Sequence, residues 1–394
     1  MLALVSPGQG AQTPGMLAPW LELPAVAERL RWACAVTGID LILLGTSGSA
    51  EEIRDTAVAQ PLLVAMALAV APELNAAEIS AQSTGVLAGH SVGEYAAAAL
   101  AGALSRETAL VLVRERGRLM AEAAAATPTG MSAVLGGDTD AVAQALQLHG
   151  LVAANVNTTG QVVAAGPLEA LAALSAAAPD GARVRSLDVA GAFHTPFMES
   201  ARGALADIAA AAPYADPRAR LLGNGDGGVV SSGADVLRRL VTQVAQPVRW
   251  DLCMQTMTDL GVTALIELPP AGTLVGLARR AMPGVQAFAV KTPDDLAEAR
   301  AIVAAHAELP SEHAPSWRLA VAPVAGTFRP REVGTGDQLA AGDIVGTVES
   351  NRSEATIEAV HDGVLLEWLA HDGDPVAPGQ PVARLHPVPE PVAL

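Results

Sequence analysis

Two short segments hold side chains suited to nucleophilic attack on a carbonyl: Gly89-His90-Ser91-Val92-Gly93 and Gly191-Ala192-Phe193-His194. The first fits G-x-S-x-G, where a serine hydroxyl needs a nearby base to become a useful nucleophile. Val86, Leu87 and Ala88 precede it as a short apolar run without alternation, which suits a strand buried on both faces. Residues 94–100 follow it and strongly favour a helix. Strand, glycine-flanked turn and helix together predict a nucleophile elbow. The two glycines permit a backbone too cramped for a Cβ. Ser91 then sits at the positive end of a helix dipole, beside free backbone N–H groups. His194 is one of eight histidines, and a single loop histidine is usually no more than a solvated side chain. Gly8-Gln9-Gly10 marks a tight loop after the strand-like Leu2-Ala3-Leu4-Val5. Ligands bind at such carboxyl ends of α/β sheets, although an ordinary glycine turn reads the same way.

A further candidate lies on a long helix that opens at Ser105, a plausible N-cap. At about 100° per residue, Ala109, Leu110, Val113, Gly117 and Met120 share one side. Glu115, Arg118 and Glu122 fall opposite, but Arg116 falls with the apolar group. A guanidinium facing inward needs an anionic partner, because burying a bare charge is costly. That partner is either a core carboxylate or a carboxylate on the substrate, gripped at two points.

The elements that must position these groups are legible in outline. A length of 394 residues predicts two or three domains. Helices are expected around 24–36, 50–57 and 61–71, the last closed by Pro61 and Pro72. That run is the longest apolar one, and none approaches the ~18 residues that span a bilayer. Between about 128 and 189, strand-like and helical pieces alternate as strand, helix, strand, strand, helix, strand, which suggests a small ferredoxin-like insert. Residues 262–268 and 285–290 read as later strands of the main sheet, and 296–307 as a last helix. With a formal charge of −17, neither nucleic acid nor an anionic membrane is an expected partner. Cys34 and Cys253 are the only cysteines, so no disulfide framework exists. The start of the chain has no basic leader, and a cytoplasmic protein is expected.

The domain boundaries expected from texture are 1–307, a Pro/Ser-rich linker at 308–317, a β-rich part at 318–387 and a tail at 388–394. The β-rich part repeats internally. Gly336, Asp337, Gly342 and Val345 recur as Gly373, Asp374, Gly379 and Val382 in matching positions. Two copies of one β-turn unit predict a small pseudo-symmetric sandwich or barrel.

The segments Pro7-Gly8-Gln9-Gly10-Ala11-Gln12, Gly89-His90-Ser91-Val92-Gly93-Glu94-Tyr95, the run 114–120, the run 155–163, Gly191-Ala192-Phe193-His194 and the run 243–250 together resemble malonyl-CoA:acyl-carrier-protein transacylases over roughly residues 1–300. The resemblance implies an α/β-hydrolase-like core with a ferredoxin-like small subdomain. It implies Ser91 as nucleophile, His194 as general base and acid, and the backbone N–H groups of Gln9 and Val92 as oxyanion hole. It implies Arg116 on the malonyl carboxylate, and the Gln243 carbonyl orienting His194 in place of a triad carboxylate. His90, Asn155 and Asn157 would line the pocket, and Phe193 would favour malonyl over methylmalonyl. Substrates would be malonyl-CoA and a holo acyl carrier protein, with no metal or bound cofactor. Two departures stand beside the pocket: Ser6 replaces an aromatic, and Pro269-Pro270-Ala271 replaces Gly-Pro-Gly.

Roughly residues 318–387 resemble biotinyl and lipoyl carrier domains. The place of their cofactor-bearing lysine is held by Arg352, and Lys291 is the only lysine of the chain. Neither biotin nor lipoate is therefore expected, and the domain is expected to serve a protein partner or self-association. Competing functions are the malonyltransferase subunit of a malonate decarboxylase, a thioesterase or esterase using the same Ser-His pair, and a scaffold with a decayed site. Glu94 after Gly93 fits the transacylase pattern better than the decarboxylase one. Arg116 argues against a general lipase, and the intact Ser91, His194 and Arg116 argue against decay.

Overall fold

The computed structural model describes residues 1–74, 85–307, 318–350, 354–360 and 362–387. The expected linker at 308–317, the tail at 388–394 and Arg352 lie outside the described residues. The chain divides into two units, Met1–Glu308 and Leu309–Leu394.

In the first unit, β1 (Leu2–Ser6) and β2 (Val86–Gly89) are buried at every position. Their unbroken apolar character follows from coverage on both faces. The insert then supplies β3 (Thr129–Gly136), β4 (Val152–Thr158), β5 (Gln161–Pro167) and β6 (Ala182–Ser186). The chain returns to the core with β7 (Arg220–Leu222), β8 (Val229–Val230), β9 (Val248–Arg249), β10 (Ala264–Glu267) and β11 (Gln286–Ala289). The main sheet runs β11-β10-β1-β2-β7-β8, parallel except for the β7–β8 pair. β7 and β8 were not foreseen, since strands of three and two residues show no periodicity. The insert sheet runs β6-β3-β5-β4-β9. Its own four strands are antiparallel in the ferredoxin-like order. The fifth, β9, comes from the main body and pairs in parallel with β4 through Asn155 and Val156.

Two expectations near the N-terminus need correction. Residues 50–57 are not a helix: a short 3-10 turn, Glu52–Arg54, stops at Asp55. The Asp55 carboxylate accepts the Ala57 N–H at 2.9 Å and caps the next helix, Thr56–Val70. Pro61 therefore lies inside that helix rather than at its start. Its missing donor forfeits one bond, and tight packing offsets the loss. A Cβ on Gly117 would lie 2.8 Å from the Thr56 carbonyl oxygen, so the helix Arg106–Ala126 rides directly on this one. With the turn that follows, Thr56–Leu74 forms a 19-residue apolar stretch long enough to cross a membrane, contrary to the sequence expectation. Burial inside the protein covers 78% of its most apolar window, as for the central helix of a globular core.

The second unit consists of two four-stranded sheets. One joins Arg318–Val321, Pro381–Pro387, Gly363–Trp368 and Gln338–Leu339 in that order. The other joins Glu354–Glu358, Ile344–Glu349, Gly326–Pro330 and Pro375–Val376. All pairs are antiparallel, around a core that includes Phe328, Val345, Val348, Leu365 and Val382. The internal repeat reappears as geometry. Gly336 and Gly373 have φ of 101° and 88°, and Gly342 and Gly379 of 92° and 79°, values that glycine adopts without strain. Asp337 accepts the Gly334 N–H and Asp374 the His371 N–H, each at 2.8 Å.

In the first unit, β1 and β2 close on the turn after Gly89. A Cβ on Gly93 would lie 2.3 Å from the Ser6 carbonyl oxygen, and one on Gly89 would lie 1.9 Å from the Gly93 carbonyl carbon. Both neighbours are backbone and cannot give way. Gly93→Ala should cost at least about 3 kcal/mol of stability, visible as a lowered melting temperature, since overpacking against backbone finds no relaxed rotamer. An unchanged melting curve would show that the turn is looser than this.

Candidate active site

Ser91 lies two residues beyond β2, on the turn that starts the helix Gly93–Leu100. Its φ is 51°, and that of His194 is 61°. Among the described residues these are the only non-glycine residues with positive φ. Strain of this kind, of order 1–3 kcal/mol each, persists only where the surroundings over-determine it. At Ser91 the N–H donates to Asn224 Oδ1 at 2.7 Å, and Asn224 Nδ2 donates to the Gly89 carbonyl at 2.8 Å. One side chain thus spans the turn. At His194 the N–H donates to the Val244 carbonyl at 3.2 Å, and the Thr129 hydroxyl on β3 accepts the Ala192 N–H at 3.0 Å.

The two strained residues meet. Ser91 Oγ lies 2.7 Å from His194 Nε2. His194 Nδ1 lies 2.8 Å from the Gln243 carbonyl oxygen. A carbonyl can only accept, so Nδ1 carries the proton and the Nε2 lone pair faces the serine hydroxyl. Burial, reinforced by the nearby Arg116 charge, pushes His194 down to about 3. The imidazole is therefore neutral at ordinary pH and ready to take a proton.

Arg116 lies against the same hydroxyl. It is 1% exposed, with Nη2 3.2 Å from Ser91 Oγ. Nη2 also donates to Gln243 Oε1 at 2.8 Å, and Nη1 to Gln60 Oε1 at 2.6 Å. Its charge sits 5.8 Å from the Tyr95 ring centre. Among the described residues no carboxylate reaches ion-pair distance, and Arg116 Nε has no hydrogen-bond partner. Two neutral amides hold a buried cation, so of the two partners its inward face allows, the core carboxylate is not at ion-pair distance among the described residues. Burial pulls the guanidinium below its ordinary value.

A cavity of about 260 Å³ opens over these groups. Gln9, His90, Ser91, Asn155, Asn157, Phe193 and His194 line it, with Gln60, Met120, Met131 and Leu274 among the others. Val92, Arg116 and Gln243 do not line it: Val92 follows Ser91 on the turn, Arg116 meets Ser91 Oγ, and Gln243 meets both His194 and Arg116. Among the described residues, neither the Gln9 nor the Val92 N–H has a hydrogen-bond acceptor. His90 Nε2 lies 2.9 Å from Asn157 Oδ1, and its ring meets Trp250 edge-on at 5.6 Å. Asn155 Oδ1 is buried without a partner among the described residues. Gly8 is small by necessity, since a Cβ there would lie 2.8 Å from His90 Nδ1.

Three residues escaped the sequence reading as members of the site: Gln60, Asn224 and Glu94. Gln60 is a lone polar residue in an apolar helix, a signal that could have found it. Asn224 lies in a glycine-rich segment that reads only as a turn. Glu94 is buried, and its carboxylate takes the Asn224 N–H at 2.6 Å and the Gln243 side-chain amide. Burial pushes Glu94 up to about 8, against the pull of Asn224 N–H and Arg116. The departures from the family pattern leave this arrangement standing. After Pro269-Pro270-Ala271, Glu267 accepts the N–H groups of Gly272, Leu274 and Val275 at 2.8–3.0 Å, which fixes the helix whose Thr273, Leu274 and Leu277 border the cavity.

Comparison with known proteins agrees with this geometry. Residues 3–293 match the acyl transferase domain family, and residues 321–385 match the biotin-requiring enzyme family. The malonyl CoA-acyl carrier protein transacylase of Mycobacterium tuberculosis is 52% identical over 298 residues, covering 76% of this chain and 99% of that protein. A solved structure of MCAT from Mycobacterium tuberculosis superposes with a TM-score of 0.74 at 52% identity, covering 76% and 99%. A malonyl-transacylase solved in complex with its type II polyketide acyl carrier protein superposes with a TM-score of 0.69 at 32% identity, covering 76% and 99%. An elbow serine, a carbonyl-oriented histidine and a buried arginine at one cavity, on this fold and with this likeness, place the chain in the malonyl-CoA:acyl-carrier-protein transacylase family of acyltransferases, with a biotin/lipoyl-type domain at its C-terminal end.

Proposed function

We propose that this chain moves a malonyl group from coenzyme A to the phosphopantetheine thiol of an acyl carrier protein, by way of a malonyl ester on Ser91. The observation that carries the reading is Arg116, a buried cation set against the nucleophile that no carboxylate partner among the described residues reaches at ion-pair distance. A substrate bearing a free carboxylate supplies that partner, and a bidentate contact with it sets the acyl group over Ser91.

The steps follow from the hydrogen bonds. His194 Nε2 takes the Ser91 proton as Oγ attacks the thioester carbonyl. The Gln9 and Val92 N–H groups receive the oxyanion. The carbon–sulfur bond breaks, and the proton on Nε2 passes to the departing thiol. The carrier thiol then loses its proton to Nε2 and attacks the ester, and Ser91 leaves with that proton. Phe193 narrows the pocket toward the unbranched malonyl group.

Mass spectrometry after incubation with malonyl-CoA should find a gain of roughly 86 Da on Ser91, the covalent intermediate of a ping-pong cycle. Survival of the adduct in Ser91→Ala would sink the assignment. His194→Ala should slow both half-reactions on the order of 10²–10⁴-fold, as loss of a general base does. Arg116→Ala should lose malonyl transfer while acetyl transfer persists, whereas equal losses would make Arg116 structural. Because His194 is held down to about 3, Ser91 acylation should show no fall centred near pH 6.5. An acid limb there, absent in a His194 variant, would contradict the neutral, buried base.

For the C-terminal unit we propose an unmodified state. Biotin and lipoate attach as amides to a lysine amine, and the one lysine, Lys291, belongs to the other unit. The guanidinium at Arg352 is protonated at all useful pH values and is no substitute. Protein from its native host should weigh the same as the bare chain. An added lipoyl or biotinyl mass refutes this.

A further inference from the structure

We infer that Glu94 is the positioning residue that fixes the polarity of the Gln243 side chain and, through it, the pose of Arg116. The inference rests on the malonyl-transfer reading and adds to it a determinant of selectivity that never touches the substrate.

The argument is one of donors and acceptors. Asn224 is locked by backbone on both sides, since its Oδ1 must face the Ser91 N–H and its Nδ2 the Gly89 carbonyl. Its own N–H claims Glu94 Oε1 at 2.6 Å. Glu94 Oε2 is then left to meet Gln243, and in the ionised form that prevails above about pH 8 it can only accept, from Nε2. The Ser91 carbonyl, 3.0 Å from the same Nε2, asks for the same orientation. Gln243 Oε1 is thereby turned to Arg116, which can only donate, at 2.8 Å. The network is also a wall. Glu94, Asn224 and Gln243 line a second, polar cavity of about 230 Å³, with Thr242, Gln246 and Pro247. Among these three, none borders the cavity over Ser91. Glu94 therefore acts from behind the catalytic groups.

Replacing the carboxylate with an amide of the same shape breaks the chain of acceptors. In Glu94→Gln, keeping Oε1 on the Asn224 N–H turns an NH₂ toward Gln243 Nε2. If Gln243 turns over, its NH₂ faces Arg116 and its oxygen faces the Ser91 carbonyl. If residue 94 turns over, the Asn224 N–H faces a donor. Every arrangement strands a buried polar pair, and stranded groups cost more than an ordinary bond returns. His194 is spared, because it is oriented by the Gln243 backbone carbonyl and not by the side chain.

The test compares Ser91 acylation by malonyl-CoA and acetyl-CoA in the full-length chain and in Glu94→Gln, above the value of about 8 to which burial pushes Glu94, where its carboxylate is ionised. Malonyl kcat/KM should fall at least about tenfold while the acetyl value moves less than about threefold. The alternative role for Glu94, a charge that offsets Arg116, predicts the opposite: losing it would raise the preference for the anionic acyl group. A raised or unchanged malonyl-to-acetyl ratio overturns the inference, as does an equal loss with both substrates. Gln243→Ala removes the amide that Glu94 orients, and the double variant should lose no more selectivity than the worse single one. Additive losses overturn the inference, and should Glu94→Gln fail to fold, an unchanged ratio in Gln243→Ala does so too. If the unaltered chain shows no malonyl preference, the malonyl-transfer reading fails, separately from the role of Glu94.

Discussion

The first unit depends on a contact too close for any side chain: the backbone of Gly93 against the backbone of Ser6. It brings the start of a helix onto the end of the neighbouring strand, and Ser91 is left on the bend between them. The bend forces a positive φ on a residue with a Cβ, and Asn224 holds that strain by bonding both arms of the turn. Among the described residues the Val92 N–H on the same turn has no hydrogen-bond acceptor. The strained turn at Ser91 is thus the consequence of one packing event, which the parallel pairing of β1 with β2 enforces.

The second constraint is electrostatic. A serine–histidine pair is usually completed by a carboxylate, but here a peptide carbonyl orients the histidine. The reason lies in the same residue. Gln243 offers its carbonyl to His194 and its side-chain oxygen to Arg116. A carboxylate in that place would pair with the guanidinium and neutralise it. Amides hold the cation in position without discharging it. Burial, with the Arg116 charge beside it, holds the histidine neutral.

The C-terminal unit shows how much of a fold can be specified by turns. Its strands are short, two of them two residues long. Four glycines with positive φ and two aspartates bonded to the backbone three residues before them recur in register. Each half repeats the same turn, and the two halves close on one apolar core. That architecture is kept without the amine on which cofactor attachment depends.

Much of this was legible in the sequence because it is local. The elbow is written in two glycines around a serine, the N-cap of the long helix in Ser105, the insert in the alternation of strand and helix, and the β-unit in its repeated Gly-Asp turns. Even the inward face of Arg116 follows from helical spacing. What the sequence could not state is which distant groups meet. A helical wheel shows that Arg116 points inward but not that amides from residues 60 and 243 receive it rather than a carboxylate. Pro61 reads as a helix boundary, yet a cap at Asp55 and the close approach of Gly117 carry the helix through it. Strands of two or three residues leave no period to detect, so β7, β8 and β9 emerged only with the sheets that they complete. Asn224 looks like any turn residue and Glu94 like any acid in a first helical turn. Their place at the site is decided by tertiary structure alone, because a hydrogen-bond network has no spacing rule. It exists only where folding brings its donors and acceptors together.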